Sequence, residues 1–185
     1  MRIVAGELKS REIVAPSGDK TRPTSDRVRE AIFSYLFSRR GEWEGAAVLD
    51  LYAGSGALAF EALSRGAARA SLVEIDRRAQ RAIEDNILAF RLGGRARLLR
   101  ASAESAPQML TGQKFDVVFA DPPYAALATA SRAVAGVAMQ LLAPEGLLVL
   151  ELSSKDEAPS FEPICVLDDA REYGDTQVAY YVRQA

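Results

Sequence analysis

From residue 46 onward the chain alternates short, almost unbroken apolar runs with amphipathic segments, and this alternation constrains the fold more than any other feature. The runs at 47–51, 71–74, 97–100, 117–120 and 147–152 have the length of strands, and helices fit about 57–65, 77–91 and 127–142 between them. Apolar strands separated by helices belong to a parallel sheet covered on both faces. Two further strands fit 164–167 and 177–182, joined through the turn-rich Tyr173-Gly174-Asp175, a connection short enough to demand an antiparallel pair. The expectation is an α/β protein with a mostly parallel sheet of seven strands and helices on both faces.

Ahead of this pattern, Arg2-Ile3-Val4-Ala5-Gly6 and Arg11-Glu12-Ile13-Val14-Ala15-Pro16 read as two short strands of a β-hairpin appendage, followed by a loop over 17–23. Thr24 suits a helix N-cap, and Val28, Ile32, Tyr35 and Leu36 then recur at helical spacing, predicting a helix over about 25–39.

A chain of 185 residues, 49% hydrophobic and 26% charged, is the size of one domain with a full core. No run approaches the roughly 20 apolar residues that span a bilayer, and the charges at Arg2, Glu7 and Lys9 interrupt any signal-peptide core. A soluble, cytoplasmic monomer is expected. Cys165 is the only cysteine and histidine is absent, which removes disulfides, the usual zinc sites and Ser-His or Cys-His nucleophile systems. Chemistry is left to carboxylates, hydroxyls, backbone and an organic cofactor, with no metal expected. The net charge of −2 is unevenly spread: residues 1–40 hold nine Lys/Arg against five Asp/Glu, while residues 41–185 hold 14 against 20. The basic surface is therefore expected at the front of the chain, with Arg2, Lys9, Arg11, Lys20 and Arg27 as candidate phosphate contacts.

The first strand ends in Asp50-Leu51-Tyr52-Ala53-Gly54-Ser55-Gly56, with a helix opening directly after it. Glycines belong where a ligand approaches the backbone with no side chain between. Gly54-Ser55-Gly56-Ala57-Leu58-Ala59 also satisfies a dinucleotide fingerprint, so the loop by itself admits either NAD or S-adenosylmethionine. The second strand ends in Val73-Glu74-Ile75-Asp76; Glu74 is placed to accept from the ribose hydroxyls of an adenosine, and Asp76 to cap the next helix.

Asp121-Pro122-Pro123-Tyr124 follows directly on the apolar run ending at Ala120. Two prolines fix the backbone at the strand's carboxyl end, so that the Asp121 carboxylate and the Pro122 carbonyl form a rigid pair of acceptors. Such a pair suits the two hydrogens of an exocyclic amine, aiming its nitrogen lone pair at a methyl group. Tyr124 adds a flat face on which a base can stack, an interaction worth roughly 1–3 kcal/mol.

This tetrapeptide resembles the D/N-P-P-Y/F signature of amino-methyltransferases, and the Asp50 loop is similar to the cofactor loop of class I, Rossmann-like methyltransferases. More narrowly, Thr21-Arg22-Pro23-Thr24-Ser25-Asp26-Arg27-Val28-Arg29-Glu30-Ala31-Ile32-Phe33 resembles a segment of the bacterial RsmD family, which methylates the exocyclic N2 amine of a guanine in small-subunit (16S) ribosomal RNA. The resemblance covers about residues 1–183. It implies that Asp50, Ala53, Gly54 and Gly56 cradle the methionine part of S-adenosylmethionine, with Tyr52 and Ser55 in the same loop. It further implies that Glu74 holds the ribose, that Ile75 packs on the adenine, and that Arg22 and Thr24 close over the cofactor's amino-acid end. Ser102 and Ala103 stand at the adenine amine, where related enzymes usually place Asp or Asn at the position of Ser102. The implied product is S-adenosylhomocysteine, and the implied partner is ribosomal RNA or a small-subunit assembly intermediate. The division that follows is a hairpin and loop at 1–23 for RNA docking and a methyltransferase domain at 24–185.

Three other readings compete. An NAD-dependent dehydrogenase fits the glycine loop but leaves Asp121-Pro122-Pro123-Tyr124 without a task and has no histidine as proton donor. An amino-methyltransferase acting on adenine N6 or on protein glutamine uses relatives of the same tetrapeptide, although Asp at 121 argues against glutamine. A nucleic-acid-binding module without catalysis leaves two intact motifs unexplained.

Overall fold

The computed structural model describes residues 1–16 and 25–185, so the expected loop at 17–23 and Thr24, with Lys20, Arg22 and the expected domain boundary, lie outside the described residues. Helix α1 (Asp26–Arg40) opens the main body, followed by β1 (Ala47–Leu51), α2 (Ala57–Ser64), β2 (Arg69–Glu74), α3 (Arg77–Ala89) and β3 (Ala96–Arg100). A 3-10 turn (Ala103–Ser105) leads to α4 (Ala106–Met109), β4 (Phe115–Ala120), a second 3-10 turn (Tyr124–Ala126), α5 (Leu127–Leu141), β5 (Leu142–Ser153), β6 (Cys165–Tyr173) and β7 (Thr176–Arg183). The strands form one sheet in the order β3-β2-β1-β4-β5-β7-β6, parallel except where β7 pairs antiparallel with β5 and β6.

Both faces are covered, as continuous apolar strands require. Val48, Val117, Phe119 and Val149 turn to one side, against α1, α2, α3 and the N-terminal segment. Leu49, Leu51, Val118, Leu148 and Leu150 turn to the other, against α4 and α5. Among the described residues no helix is long and apolar enough to cross a membrane.

The differences from expectation have local causes. Ser25 caps α1, its hydroxyl accepting from the Val28 amide at 3.2 Å, where Thr24 was the expected cap. Strand β6 runs to Tyr173 rather than 167; at the sheet's edge, Asp168, Asp169 and Arg171 form strand backbone while meeting solvent, so no apolar pattern marks them. The short helix α4 has too few residues to show a period.

The N-terminal segment forms a short hairpin, with an antiparallel bridge of Arg2 with Glu12 and backbone bonds from the Ile3, Ser10 and Ile13 amides to the Arg11, Ile3 and Met1 carbonyls at 3.0, 2.9 and 3.0 Å. Its backbone also bonds to α2: Val4 and Ala5 amides donate to Glu61 at 2.8 and 3.0 Å, and the Leu8 amide donates to Ser64 Oγ at 2.9 Å. A Cβ on Gly6 would stand 1.8 Å from the Ser64 carbonyl oxygen, so only glycine permits this approach. Ile3, Leu8 and Ile13 are buried in the core, making the segment a strap across α2 and α3.

Candidate active site

Strand order reverses between β1 and β4, and in open α/β sheets ligands bind beyond the carboxyl ends of the strands at such a point. Leu51 is registered with Val73 on one side and Ala120 on the other, which places Tyr52, Glu74 and Asp121 along one edge, neighbouring strands lying about 4.8 Å apart. Ala120 is registered with Leu150, so the buried Glu151, which sequence reasoning missed, follows onto the same edge.

The half of the edge over β1 and β2 is organised by backbone amides around two carboxylates. Glu74 is 8% exposed; its Oε2 accepts from the Gly54 amide at 2.8 Å, and its Oε1 accepts from the Ile75 and Asp76 amides at 2.8 and 2.7 Å. A carboxylate offers about four acceptor positions, so three are spent shaping the loop and one is left over. Asp76 caps α3, accepting from Arg78 and Ala79 amides at 2.8 and 3.1 Å, and these bonds hold its carboxyl below the usual range.

Asp50 is buried beneath the loop, accepting from the Ala59 amide at 3.2 Å. Burial pushes its carboxyl well above the usual carboxylate range, and the neighbouring Glu74 charge adds to the effect. Gly54 and Gly56 take positive φ of 57° and 78°, and a Cβ on Gly56 would press within 2.5 Å of Phe60. Tyr52 also adopts a left-handed φ of 58°; burial, with Glu104 nearby, pushes its hydroxyl up to about 12. Ala53 is buried and Ser55 half-buried, while Ile75 is 69% exposed beside Glu74, an apolar surface at the position implied for the adenine. Ser102, half-buried, has its Oγ 3.2 Å from Ser105 Oγ, and Ala103 is buried at the start of the 3-10 turn.

Over β4, Asp121 is half-buried, Pro122 buried and Pro123 exposed. The Pro123 carbonyl accepts from the Ala126 amide at 2.8 Å, closing the turn that carries Tyr124. Tyr124 is half-buried, and its hydroxyl lies 2.9 Å from Thr176 Oγ1, on the first residue of β7. Thr176 was missed by sequence reasoning, although it directly follows the Tyr173-Gly174-Asp175 turn. A cleft of about 330 Å³ opens beside this turn, lined by Ser25, Arg27 and Val28 from the start of α1 and by Glu172, Tyr173 and Gly174.

Asn86 was also missed. On the buried side of α3 it donates from Nδ2 to the Val14 and Ser55 carbonyls at 2.9 and 3.2 Å and accepts from the Val14 amide at 2.8 Å, tying the strap to the glycine loop. Its signal is a polar residue on the apolar stripe of Ala79, Ala82 and Ile83.

The candidate phosphate contacts do not gather at one place. Arg27 is exposed at the cleft, whereas Lys9 sits in the strap's turn beside Ser64, at the opposite end of α2 from the glycine loop. Arg2 donates to the Ser10 carbonyl at 2.8 Å. Arg11 donates to the Ala89 carbonyl at 2.7 Å and lies over the Phe90 ring, 5.4 Å from its centroid.

A family model described as conserved hypothetical protein 95 matches residues 1–182. Over 186 residues, all of both chains, the sequence is 33% identical to a Bacillus subtilis protein provisionally named the rRNA methyltransferase YlbH. It is 39% identical over 124 residues to Ribosomal RNA small subunit methyltransferase D of Escherichia coli K12, a match covering 67% of this chain and 60% of that one. The solved structure of yhhF from Escherichia coli, provisionally described as a methyltransferase, superposes with a TM-score of 0.86 at 32% identity, covering 100% of this chain and 98% of that one. With a family model spanning nearly the whole sequence and full-length relatives in both sequence and fold, this chain belongs to the conserved hypothetical protein 95 family, the RsmD family of class I methyltransferases.

Proposed function

We propose that the chain transfers the methyl group of S-adenosylmethionine to the exocyclic N2 amine of a guanine in small-subunit ribosomal RNA. The observation that carries this reading is the placement of Asp121-Pro122-Pro123-Tyr124 at the carboxyl end of β4, on the same sheet edge as Asp50, the glycine loop and Glu74. The relatives named for ribosomal RNA methylation support the substrate class.

The residues fit the cofactor. Glu74 keeps one acceptor position for the ribose, exposed Ile75 offers a face for the adenine, and the buried Asp50 carboxyl is placed to receive the methionine ammonium through the glycine loop. S-adenosylmethionine supplies an already cationic methyl donor, so the transfer requires neither a metal nor a covalent enzyme intermediate. Held by Asp50, the glycine loop and Glu74, the cofactor would give its methyl to the guanine N2 nitrogen and leave as S-adenosylhomocysteine. Asp121 and the Pro122 carbonyl accept from the two amine hydrogens, orient the lone pair and stabilise the positive charge growing on nitrogen. The surplus proton on the methylated nitrogen would then pass to solvent. Tyr124 stacks on the base, which must come from a loop or be flipped out of its stack. Arg27, at the cleft beside Tyr173, and the basic residues of the strap contact the RNA backbone.

Radiolabelled S-adenosylmethionine supplied with naked small-subunit RNA, assembled small subunits, duplex DNA and bulk protein tests the reading, with the label mapped afterwards. The expected result is label in guanine of the ribosomal RNA. Label in DNA adenine or protein glutamine, with none in that guanine, overturns the substrate.

A further inference from the structure

Between Arg77 and Arg100 the chain carries seven arginines against two acids, a net of +5 in a protein whose total is −2. The fold gathers most of this charge on one surface, while Arg95 turns away to pair with Glu7 and donate to the Leu63 and Ala67 carbonyls. Arg77, Arg81, Glu84, Leu88 and Arg91 recur at spacings of four and three, along one face of α3 and just past its end. All five are exposed, Leu88 at 79%. Beside them runs β3, the edge strand of the sheet, with Arg97 and Arg100 exposed. A groove of about 810 Å³ lies between the two elements, lined by Leu88, Arg91 and Arg97 among others. Glu84, the acid in the groove, is paired with Arg100, so the surface keeps its positive balance.

Arginine on an edge strand has an ordinary use, blocking edge-to-edge association, and that accounts for Arg97. It does not account for arginines continuing up α3 to Arg77, three residues past Glu74 at the rim of the cofactor site. Nor does helix stability, since Arg77 and Arg78 at the N-terminal end oppose the helix dipole. A basic strip about 20 Å long, beginning at the active-site rim of an otherwise acidic protein, has the charge to meet a polyanion.

We infer that the α3–β3 edge is an RNA-backbone docking surface, with Arg81, Arg91 and Arg97 meeting phosphates that flank the target nucleotide. This rests on the reading of the chain as an RNA methyltransferase. The groove accepts the sugar-phosphate chain, Leu88 covering sugar carbons between the guanidinium groups. The strip reaches away from the catalytic edge, so it holds the substrate without touching the chemistry.

The triple variant R81Q/R91Q/R97Q keeps the aliphatic stems and removes three charges. Neutralising three single-strand phosphate contacts lowers the slope of log K against log salt by about 2, which is about a 100-fold loss of affinity at 0.1 M salt. Binding of a small-subunit RNA fragment, followed by fluorescence anisotropy across a salt series, is expected to show both changes. The affinity for S-adenosylhomocysteine and the melting temperature are expected to match the parent, and R81K/R91K/R97K is expected to restore RNA binding. An unchanged RNA affinity and salt slope in the folded Gln variant, while the parent methylates the RNA, overturns the docking surface and leaves the activity standing. Full binding of naked RNA combined with lost activity on assembled subunits also overturns it, assigning the edge to a protein contact. A parent that methylates no RNA defeats the underlying reading, a result distinct from either.

Discussion

The two halves of the candidate site are built in different ways. Over β1 and β2, the Glu74 carboxylate gathers three backbone amides in charge-assisted bonds that fix the loop's shape, and the buried Asp50 carboxyl accepts from the Ala59 amide of α2. Over β4, proline geometry fixes the backbone, and a bond between the side-chain hydroxyls of Tyr124 and Thr176 ties the turn to β7. A cofactor common to every turnover suits the stiff half. The half that must admit a nucleotide is held through side-chain hydroxyls, which can re-aim more easily than buried amide bonds.

Breaking the reactive half gives the largest expected effect. Asp121→Ala lowers the rate of methyl transfer by about 10²–10³-fold, the scale for losing one group that stabilises developing charge, while cofactor affinity holds. Single-turnover rates and calorimetry with S-adenosylhomocysteine check it together; normal turnover removes the amine-orienting role.

Glu74→Ala comes next, with two effects at once. Cofactor affinity falls, and the fold loses the acceptor of three amides, at about 1–3 kcal/mol for each one left buried and unsatisfied. Calorimetry and thermal melting report these separately. Unchanged melting would mean that water replaces the carboxylate and that the loop does not depend on it.

Asp50 gives a prediction in pH. Its raised folded value means the folded cofactor-free protein holds a proton that the unfolded chain has released, so this contribution to stability is full below about pH 4 and is lost as pH rises toward the folded value. An ammonium group arriving beside Asp50 favours the carboxylate and expels that proton. Affinity for S-adenosylhomocysteine is therefore expected to rise with pH through this window, by up to about tenfold per unit, and Asp50→Asn to flatten the rise. Calorimetry in buffers of differing ionisation enthalpy reads the released proton directly.

The smallest effect sharpens the contrast. Tyr124→Phe and Thr176→Val each remove the bond at 2.9 Å and are expected to cost about 1 kcal/mol, a rate loss of roughly fivefold. Tyr124→Ala also removes the stacking face and loses most activity. Equal activities of the Phe and Ala variants would make the tyrosine structural.

The sheet was legible because its strands are buried on both faces and keep nearly unbroken apolar runs. Strand β6 was not, since its exposed edge leaves Asp168, Asp169 and Arg171 without a pattern to read. The motif residues were legible as types at spacings, and their partners were not. Thr176 stands 52 residues from Tyr124, and Asn86 stands 72 from Val14 and 31 from Ser55, so only folding brings them together. The charge count by halves of the chain is coarse for a related reason. Averaged over residues 41–185 the chain is acidic, and that average hides the arginines of α3 and β3.

The strap has a consequence for how the protein emerges during synthesis. Its amides at Val4, Ala5 and Leu8 bond to Glu61 and Ser64, and Val14 bonds to Asn86, all made later than the strap itself. Segments made earlier wait for their partners, and long-separation contacts pay their closure entropy before any bond rewards them. The strap therefore stays undocked until α2 and α3 have left the ribosome. Tyr124 waits longer still, because its anchor at Thr176 lies in the last strand. The bond between Tyr124 and Thr176 is thus among the later contacts of the site to form.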